Sequence, residues 1–305
     1  MPDLAVDDGL EDAAAVFADV RPRLFGIAYR VLGSWTEAED VVQETWLRWQ
    51  GTDRAEVRHP PAFLATTATR LALNVAQSAR ARRETYVGPW LPEPVDTSAD
   101  PAVGAVQGQE VELALLLLLE RLTPTERAAY VLRESFDYPY PEIAEILGLS
   151  PANVRQLVSR ARKHLAGERR EPVAPATHRR LLEAFVRAAQ TGDVVALERL
   201  LAEDVVSWSD GNGARGVARV PVVGRTRVAR FVSAFRPRFW PGTQNTWVEA
   251  NGRTALLIKV DGAPLALLNV QVVDGKIRQL QWQVSPTKID GFLRSAARSS
   301  RTDTA

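Results

Sequence analysis

The spacing of apolar residues changes once along this chain of 305 residues, and that change restricts its fold more than any other feature. Up to about Leu165 the apolar residues recur every three to four positions, as in amphipathic helices, whereas beyond residue 175 short runs of strand-forming residues dominate. The segment 167–175, Gly-Glu-Arg-Arg-Glu-Pro-Val-Ala-Pro, separates the two patterns. The sequence therefore predicts a helical part followed by a part of α+β structure.

Three dipeptides in the second part favour tight hairpins, because Asn-Gly and Asp-Gly readily adopt the left-handed backbone conformation that such turns need. They are Asn251-Gly252, Asp261-Gly262 and Asp274-Gly275. We expect strands at residues 205–208, 246–250, 254–260, 265–273 and 277–284. We expect helices at residues 177–190, 194–202 and 223–234. These elements predict a curved antiparallel sheet packed against two or three helices.

Two helix starts in the first part combine a hydroxyl residue with a following proline, a pattern that favours a helix N-terminus. One is Thr123-Pro124, where Glu126 completes a capping box, and the other is Ser150-Pro151. Gly148 ends the short helix that precedes the second start. Two short helices joined by a turn of about three residues form a helix-turn-helix.

The second of these helices has an apolar side and a basic side. Its apolar stripe consists of Val154, Leu157, Val158, Ala161 and Leu165. Its other side carries Arg155, Gln156, Ser159, Arg160, Arg162 and Lys163. Arg and Gln can make bidentate contacts to base edges, and the remaining groups can hold phosphates. The basic side therefore predicts binding in the major groove of DNA.

Charge is distributed unevenly, although the net charge is only +1. Residues 1–50 contain four Arg and ten acidic residues, whereas residues 176–305 contain nineteen basic and eleven acidic residues. Between residues 150 and 170 six basic residues accompany a single Glu. Clustered cations of this kind are typical of proteins that bind a polyanion.

The composition argues against several kinds of site. The chain has no cysteine, which excludes disulfides, thiolate nucleophiles and Cys-ligated zinc. The scattered histidines His59, His164 and His178 are each expected at the surface, so we expect no metal, no cofactor and no catalytic triad. The longest apolar run, 113–119, is too short to cross a bilayer, and the acidic N-terminus differs from a secretory signal. We therefore expect a cytoplasmic protein without a membrane segment.

The helical part resembles the extracytoplasmic-function (ECF) sigma factors of bacterial RNA polymerase. Residues 38–48, Ala-Glu-Asp-Val-Val-Gln-Glu-Thr-Trp-Leu-Arg, are similar to the helix by which these factors bind the polymerase. Residues 122–127, 140–146 and 150–164 are similar to their second conserved domain, whose helix-turn-helix reads the minus-thirty-five promoter element. By this resemblance the chain is identified as a member of the family, with a helical-bundle domain and a helix-turn-helix domain.

The resemblance implies roles for particular residues. RNA polymerase core would be bound by Asp40, Gln43, Glu44 and Trp46. The melting minus-ten element would be bound by Arg70 and Asn74, near unpaired bases, and by Arg80, Arg82 and Arg83, along the backbone. The minus-thirty-five element would be bound by the basic side of the helix-turn-helix described above. Relatives usually carry Arg-Asn where this chain has Thr69-Arg70.

The last 140 or so residues extend beyond a minimal ECF factor and resemble the SnoaL-like fold, a cone-shaped barrel related to nuclear transport factor 2 that closes over an apolar pocket. Relatives with this extension share three signatures, which here are residues 90–94 (Trp-Leu-Pro-Glu-Pro), 210–215 (Asp-Gly-Asn-Gly-Ala-Arg) and 285–289 (Ser-Pro-Thr-Lys-Ile). The resemblance implies regulatory contacts for Trp90, Leu91, Pro92, Asp210, Gly211, Gly213, Pro286 and Lys288.

The first signature lies in Gly-Pro-Trp-Leu-Pro-Glu-Pro-Val, residues 88–95, where three prolines exclude a regular helix. Trp90 and Leu91 would form a stiff, extended segment of the kind that docks into an apolar groove. We hypothesise that this groove belongs to the C-terminal domain.

The predicted organisation is therefore multidomain, with two all-α sigma domains followed by an α+β SnoaL-like cone-shaped barrel. The predicted boundaries are region 2 at 1–86, a linker at 87–109, region 4 at 110–170, a linker at 171–176, the SnoaL-like domain at 177–292 and a flexible tail at 293–305. The expected partners are RNA polymerase core and promoter DNA, with no membrane, and a small-molecule ligand of the C-terminal pocket is left open.

The leading interpretation is a sigma factor, and not an enzyme, that is regulated in cis by its C-terminal domain. One alternative is a ligand-responsive helix-turn-helix repressor or activator that binds duplex DNA unaided. The other is a sigma module fused to a SnoaL-like enzyme. In that case Asp210 is the candidate carboxylate, although a turn residue is favoured there, and the pocket walls are Trp208, Trp240, Trp247 and Trp282.

Overall fold

The computed structural model describes residues 5–98, 112–166 and 173–302, and for 5–9, 80–82, 84 and 297–302 it describes the backbone alone. The chain forms two compact units. Of the described residues, unit 1 contains 5–82 and 116–166. Unit 2 contains 83–98, 112–115 and 173–302.

Unit 1 is helical. Its helices, two of which extend past its limits, are α1 (Ala5–Leu32), α2 (Trp35–Gln50), α3 (Pro60–Glu84), α4 (Leu113–Leu119), α5 (Pro124–Phe136), α6 (Tyr140–Leu147) and α7 (Pro151–Leu165). A short 3-10 turn, Arg54–Glu56, joins α2 to α3.

The core of unit 1 forms around α1, whose apolar residues follow the helical period. Leu24, Ile27, Ala28 and Val31 lie on one stripe and are completely buried. Trp49 of α2 is also buried, and its indole N–H donates a hydrogen bond of 3.1 Å to the carbonyl of Ala13. A buried indole with a satisfied N–H fixes the pairing of α1 and α2 more precisely than apolar contact alone.

Unit 2 contains the α+β structure predicted beyond residue 175. Its helices are α8 (Pro175–Thr191), α9 (Val194–Leu200), α10 (Arg225–Phe239) and α11 (Pro286–Thr302). Its strands are β1 (Leu201–Asp210), β2 (Val222–Val223), β3 (Thr243–Ala250), β4 (Arg253–Val260), β5 (Ala263–Val273) and β6 (Lys276–Gln283). They form one six-stranded sheet in the order β2-β1-β6-β5-β4-β3.

The predicted hairpins are present. Asn251, Asp261 and Asp274 have φ values of 54°, 50° and 50°, and the glycine after each also has a positive φ. Two successive residues with positive φ are the requirement of the tight turn that joins twisted antiparallel strands. These turns connect β3 to β4, β4 to β5 and β5 to β6.

The structure corrects the expected sheet in one respect. β1 pairs with β6 in parallel, so the sheet is mixed and not purely antiparallel. The described strands form one sheet with β2 and β3 at its edges. Parallel pairing joins segments about 70 residues apart, and no local turn signal reports it. The predicted fold class, two helical sigma regions followed by an α+β domain, is confirmed.

Element limits also differ. β1 begins at Leu201, where a helix to 202 was expected, and α10 runs from 225 to 239 instead of 223 to 234. α11 continues to Thr302, where a tail from 293 was expected. Residues 99–109 of the predicted first linker and 171–172 of the second lie outside the described residues.

The two faces of the sheet pack against different partners. Leu268 and Trp282 lie on the face that forms the main core with helices α8 and α10. Leu267 lies on the opposite face, where it joins Ile289 and Phe292 of α11. Because side chains alternate along a strand, Gln281 and Gln283 of β6 also point to the α11 face. The remainder of that face contacts Leu91, Pro92 and Pro94.

Candidate functional site

The helix-turn-helix of unit 1 is built by the predicted caps. Thr123 and Glu126 form a complete capping box at the start of α5. α6 ends at Gly148, whose φ of 65° is the left-handed conformation that glycine adopts without strain. The Ser150 side chain then accepts a hydrogen bond from the Asn153 N–H at the start of α7. Local chemistry thus fixes both ends of the turn between α6 and α7.

The predicted division of α7 into two sides is present. The apolar stripe is buried, and its members are Val154, Leu157, Val158, Ala161 and Leu165. The basic face is exposed, and its members are Arg155, Gln156, Ser159, Arg160, Arg162 and Lys163.

Three arginines of this basic face have partners within unit 1. Arg160 donates to Glu126 at 3.1 Å, and Arg162 donates to Glu134 at 2.7 Å. The Arg155 guanidinium lies 6.0 Å from the ring centre of Tyr140. Burial acts to raise the pKa of Glu126, but the hydrogen bonds from Thr123 and the charge of Arg160 outweigh it and hold that pKa below its usual value. Glu126 therefore combines a structural cap with a partner for a predicted DNA-binding residue.

The α2 surface expected to bind polymerase carries Asp40 and Gln43 as exposed side chains. Glu44 forms an exposed ion pair of 2.8 Å with Arg48, one turn later in the helix. Trp46 is partly buried, because its ring packs 5.0 Å from that of Phe17. Trp46 therefore has a packing role within unit 1 as well as its predicted role.

The residues predicted to meet the minus-ten element differ in their contacts. Arg70 donates to the carbonyls of Ile146 and Glu145, at 2.8 and 2.9 Å, at the C-terminal end of α6. A guanidinium is well placed there, because the last carbonyls of a helix lack intrahelical partners. Asn74 is exposed, whereas the side chains of Arg80 and Arg82 lie outside the part that the structure describes.

The centre of the site in unit 2 is Asp210, the last residue of β1, which is completely buried. Its carboxylate accepts hydrogen bonds from the Tyr86 hydroxyl at 2.5 Å, the Leu91 N–H at 2.8 Å and the Lys288 ammonium at 2.6 Å. Lys288 also donates to the carbonyl of Leu91. The backbone carbonyl of Asp210 accepts from two further N–H groups, those of Val284 and Ser285. Asp210 therefore joins all three predicted signatures, and it is not the simple turn residue that was favoured.

The surroundings of Asp210 shift two neighbouring pKa values. Burial lowers the pKa of Lys288, and the adjacent Asp210 carboxylate only partly opposes this. Burial also raises the pKa of Tyr86, and its hydrogen bond to Asp210 raises it further. Tyr86 is thus held as a neutral donor to the carboxylate.

Two cations lie close to the Trp90 ring. The Arg83 guanidinium lies 3.5 Å from a ring centre of Trp90, and the Lys288 ammonium lies 4.2 Å from it. A cation over an aromatic face contributes roughly 0.5–2 kcal/mol, depending on its desolvation. The expected apolar groove therefore does not describe the Trp90 environment, and Arg83 contacts this ring although it was predicted to follow DNA.

The residue after Trp90 makes the apolar contact. Leu91 is 3% exposed, and Pro92 and Pro94 are also buried. These three residues surround a small cavity of about 10 Å³ together with Leu267 and Gln283 on the α11 face of the sheet. Burying one leucine side chain contributes about 1.5–3 kcal/mol.

The following residues form hydrogen bonds with the end of β3 and with the turn between β3 and β4. The Val95 N–H donates to the Asn251 side chain at 3.0 Å, and the Asn251 N–H donates to the Val95 carbonyl at 2.9 Å. Thr97 donates to Glu249 and accepts from the Gly252 N–H. We call residues 86–97 the docked linker.

Sequence reasoning missed several members of this contact, among them Tyr86, Thr97, Asn251 and Ser295, whose hydroxyl accepts from the Asp96 N–H. Asn251 was recognised only as a turn residue. A signal was available for Tyr86 alone, since a tyrosine four residues before Trp90 extends the aromatic signature.

The glycines of the second signature allow close packing. A Cβ on Gly211 would lie 2.9 Å from the Val217 side chain, too close for any other residue without movement. A Cβ on Gly213 would lie 3.3 Å from Val87, and Gly213 also has a positive φ. Pro286 is exposed at the first position of α11, where proline favours the start of a helix. Its side chain has no polar group that could bind the linker.

A separate cavity of about 180 Å³ lies on the other side of the sheet, beside α10. Trp240 and Trp282 line it, as predicted for pocket walls. Trp208 pairs with Gln281 in the register of β1 and β6, which places it on the α11 face. Trp247 lies on the edge strand β3 and is 36% exposed. Two of the four expected walls are therefore wrong.

One expectation about histidine is also wrong. His59 and His164 are exposed, but His178 of α8 is buried, and its Nε2 lies 3.0 Å from the carbonyl of Val270. Burial lowers the pKa of His178.

Within the ranges that the structure describes, no three potential metal ligands of the His, Cys, Asp or Glu type form a group. None of the described helices is long and apolar enough to span a membrane.

Comparison with family models gives two matches. The model for sigma-70 region 2 matches residues 16–83, and the model for sigma-70 region 4 matches residues 112–165. These ranges contain the α2 face and the basic face of α7, respectively.

Two curated relatives from Mycobacterium tuberculosis are similar over nearly the whole chain. The ECF RNA polymerase sigma factor SigJ is 38% identical, over 94% of this chain and 96% of its own. The probable ECF RNA polymerase sigma factor SigI is 32% identical, over 92% of this chain and 96% of its own. The crystal structure of SigJ matches with a TM-score of 0.75 and 35% identity, covering 91% of this chain and 98% of that one. The similarity therefore includes unit 2 as well as the two helical regions.

Proposed function

Since this chain belongs to the ECF family of RNA polymerase sigma factors, we propose that it directs polymerase core to specific promoters and that its C-terminal domain regulates it in cis through the docked linker. The regulatory part rests on one observation: the Asp210 carboxylate accepts three hydrogen bonds, from Tyr86, Leu91 and Lys288. As a partner of the polymerase, the protein acts in the cytoplasm.

The linker is the segment that must adapt when the two sigma regions bind a promoter. In this family region 2 precedes the linker and region 4 follows it, so its conformation limits the spacing of the two DNA-binding surfaces. Docking buries Leu91 and Val95 and pairs the backbone of both residues. A linker fixed in this way restricts the arrangements that the chain can adopt, and its release removes the restriction. We keep the domain limits predicted from the sequence as part of this proposal, except that the C-terminal domain extends through α11 to Thr302.

For promoter recognition, we assign the minus-thirty-five element to the exposed basic face of α7. Its arginines remain available, because Arg160 and Arg162 are each more than half exposed in their ion pairs. Exposed pairs contribute only about 0–1 kcal/mol, so DNA phosphates can replace the glutamates. Asn74 and the arginines at the end of α3 are assigned to the minus-ten element.

For polymerase binding, we assign the face formed by Asp40, Gln43 and Glu44, which is exposed and largely acidic. Such a face suits a basic partner surface. A regulator that binds duplex DNA unaided has no use for it, so this face favours the sigma factor over that alternative.

Arg70 has to leave the carbonyls of Glu145 and Ile146 before it can reach an unpaired base. We assign it a second role, in which it holds α3 against the end of α6 while no promoter is bound. Binding of the minus-ten element would then compete with this contact.

The enzyme alternative has little support. The curated relatives are sigma factors. The Asp210 carboxylate is occupied by three donors and lies on the α11 face, whereas the larger cavity lies on the opposite face. We propose that unit 2 has no catalytic role.

The test is run-off transcription by reconstituted polymerase with the full-length chain and its Trp90→Ala variant. Loss of the two cation contacts weakens docking, so we expect promoter output to change several-fold. Trp247→Ala is the matched control, because Trp247 is an exposed tryptophan of the same unit and, among the described residues, forms no hydrogen bond or ring contact with the linker. Equal output from all three proteins would remove the regulatory role. Failure of the full chain to co-elute with polymerase core would remove the sigma assignment itself.

A further inference from the structure

We propose that the 180 Å³ cavity beside α10 binds a planar, largely apolar molecule with one aromatic ring and a carboxylate, and that its binding strengthens linker docking. The cavity, the loop after Asp210 and the linker contacts all belong to unit 2. The binding site stands on the structure alone, and only its consequence for transcription rests on the proposed function.

The size of the cavity sets the size of the ligand. A dry apolar cavity of about 150 Å³ is large enough to bind benzene. At about 180 Å³ this one accommodates a single substituted ring. Two other cavities of unit 2, of about 30 and 10 Å³, hold water molecules at most.

The walls determine the shape of the ligand. Aromatic rings dominate them, with Phe231 and Phe235 at 4.7 Å and Phe239 and Trp282 at 5.6 Å between ring centres. The second pair meets edge to face, at 84°. Aromatic rings prefer such tilted arrangements, so a planar ring between these walls gains directional contacts as well as burial.

Two polar residues supply the specificity for an anion. Ser209 contributes a hydroxyl from β1, and Arg215 lies among the lining residues on the loop after Asp210. Arg215 is exposed and forms no ion pair with any residue in the described part of the chain. A guanidinium with free donors beside an apolar cavity fits a carboxylate, which can accept two parallel hydrogen bonds.

The loop between β1 and β2 connects the cavity to the linker. On one side Val217 lines the cavity and packs against Gly211. On the other side Gly213 packs against Val87 of the docked linker. The loop begins at Asp210, whose carboxylate holds the Leu91 N–H. A single short loop therefore contacts both the cavity and the linker.

The sign of the coupling follows from this arrangement. The loop forms the cavity wall in the conformation that it adopts with the linker docked. A ligand that contacts this wall binds the docked state better than a state in which the loop has moved, and so it shifts the population toward docking. By linkage, the factor by which the bound ligand favours docking equals the ratio of its affinities for the docked and the undocked states.

The binding test uses the full-length protein and two probes, para-isopropylbenzoate and the neutral para-isopropylbenzamide, titrated by calorimetry. We expect the benzoate to bind and the amide to bind at least several-fold more weakly. Leu265→Trp fills the cavity and should reduce benzoate affinity at least tenfold, whereas Val195→Trp, at an exposed position of α9, should leave it unchanged. Arg215→Gln should bring benzoate and amide to equal affinity. Absence of benzoate binding at millimolar concentration, or equal loss in both tryptophan variants, would overturn the site.

The coupling test measures hydrogen exchange at the Leu91 and Val95 amides, whose N–H groups are bonded only in the docked linker. Benzoate at one hundred times its Kd should slow their exchange, by up to about 100-fold if the undocked state does not bind it. Tyr86→Phe removes one bond to Asp210 and should speed exchange at both amides, and benzoate at the same multiple of its Kd should slow that exchange by the same factor as in the wild type. Unchanged exchange in the presence of bound benzoate would overturn the coupling. None of these measurements involves polymerase, so their failure is distinct from failure of the sigma function.

Discussion

The basic face of α7 and the cluster around Asp210 both use ion pairs, but they differ in exposure. The side chains of Arg160 and Arg162 are 55% and 53% exposed in their pairs, whereas Lys288 and Asp210 are 7% and 0% exposed. Exposed pairs contribute about 0–1 kcal/mol, and removal of one partner from a buried pair costs about 3–5 kcal/mol. The difference agrees with the proposed roles, in which α7 exchanges its partners for DNA at little cost and the linker is held by groups that cannot remain charged alone.

The largest effect is expected from breaking the buried pair. Asp210→Asn leaves the Lys288 ammonium without its counter-ion, and we expect the free energy of unfolding of unit 2 to fall by about 3–5 kcal/mol. Urea denaturation of the full chain measures this value. Adding Lys288→Met should restore part of the loss, because it removes the unpaired charge. A loss below about 1 kcal/mol would show that this pair behaves like the exposed pairs of α7.

A smaller effect, on binding and not on stability, is expected from Arg155. If Arg155 pairs with a base edge, Arg155→Ala should cost about 1–3 kcal/mol of promoter affinity and relax the preference for that base. Fluorescence anisotropy with a promoter fragment and a scrambled duplex measures both the affinity and the preference. The free energy of unfolding should be unaffected. Equal losses on the two duplexes would assign Arg155 to a phosphate.

The separation of residues along the sequence explains which features of the two regions could be predicted. The cap at Thr123, the turn at Gly148 and the three hairpins were predictable, because each is set by residues within four positions of one another. The bond from Leu91 to Asp210 joins residues 119 positions apart, and no local pattern reports it. The resemblance named both residues, but it could not show that one holds the other.

Asn251 shows how one residue can satisfy a local and a distant requirement together. The Asn-Gly pattern predicted its turn, and its φ of 54° agrees. Its side chain also accepts from the Val95 N–H, 156 positions away. A turn signal explains why asparagine is suitable there and gives no indication of the second use. The parallel pairing of β1 and β6 and the burial of His178 were missed for the same reason.

The histidines extend the comparison to pH. Burial lowers the pKa of His178 below the ordinary 6.5, so the unfolded chain binds a proton more readily than the folded one. The free energy of unfolding of unit 2 should therefore be independent of His178 above pH 6.5 and should fall as the pH drops below 6.5. The charged groups nearest His178 are Arg253, which favours its neutral form, and Glu112.

Thermal unfolding of unit 2 between pH 7.5 and 5 measures this dependence. His178→Gln should flatten the profile, and His164→Gln, which alters an exposed histidine of α7, should leave it unchanged. A profile that is identical in the wild type and His178→Gln would show that His178 protonates without penalty.

The smallest change in stability is expected at the exposed pair of α7, and it gives the comparison its sharpest test. Arg162→Ala breaks the 2.7 Å bond to Glu134, yet the free energy of unfolding should fall by no more than about 1 kcal/mol, because both groups remain hydrated. Promoter affinity should fall on specific and scrambled DNA alike, and the dependence of log Kd on log salt should decrease by about one phosphate contact. Salt titrations of DNA binding measure that slope, and Arg187→Ala on the exposed surface of α8 serves as the control. If Arg162→Ala instead destabilised unit 1 by several kcal/mol, the α7 pairs would be structural like Asp210 and Lys288. The exchange of glutamate for phosphate would then not be available to the protein.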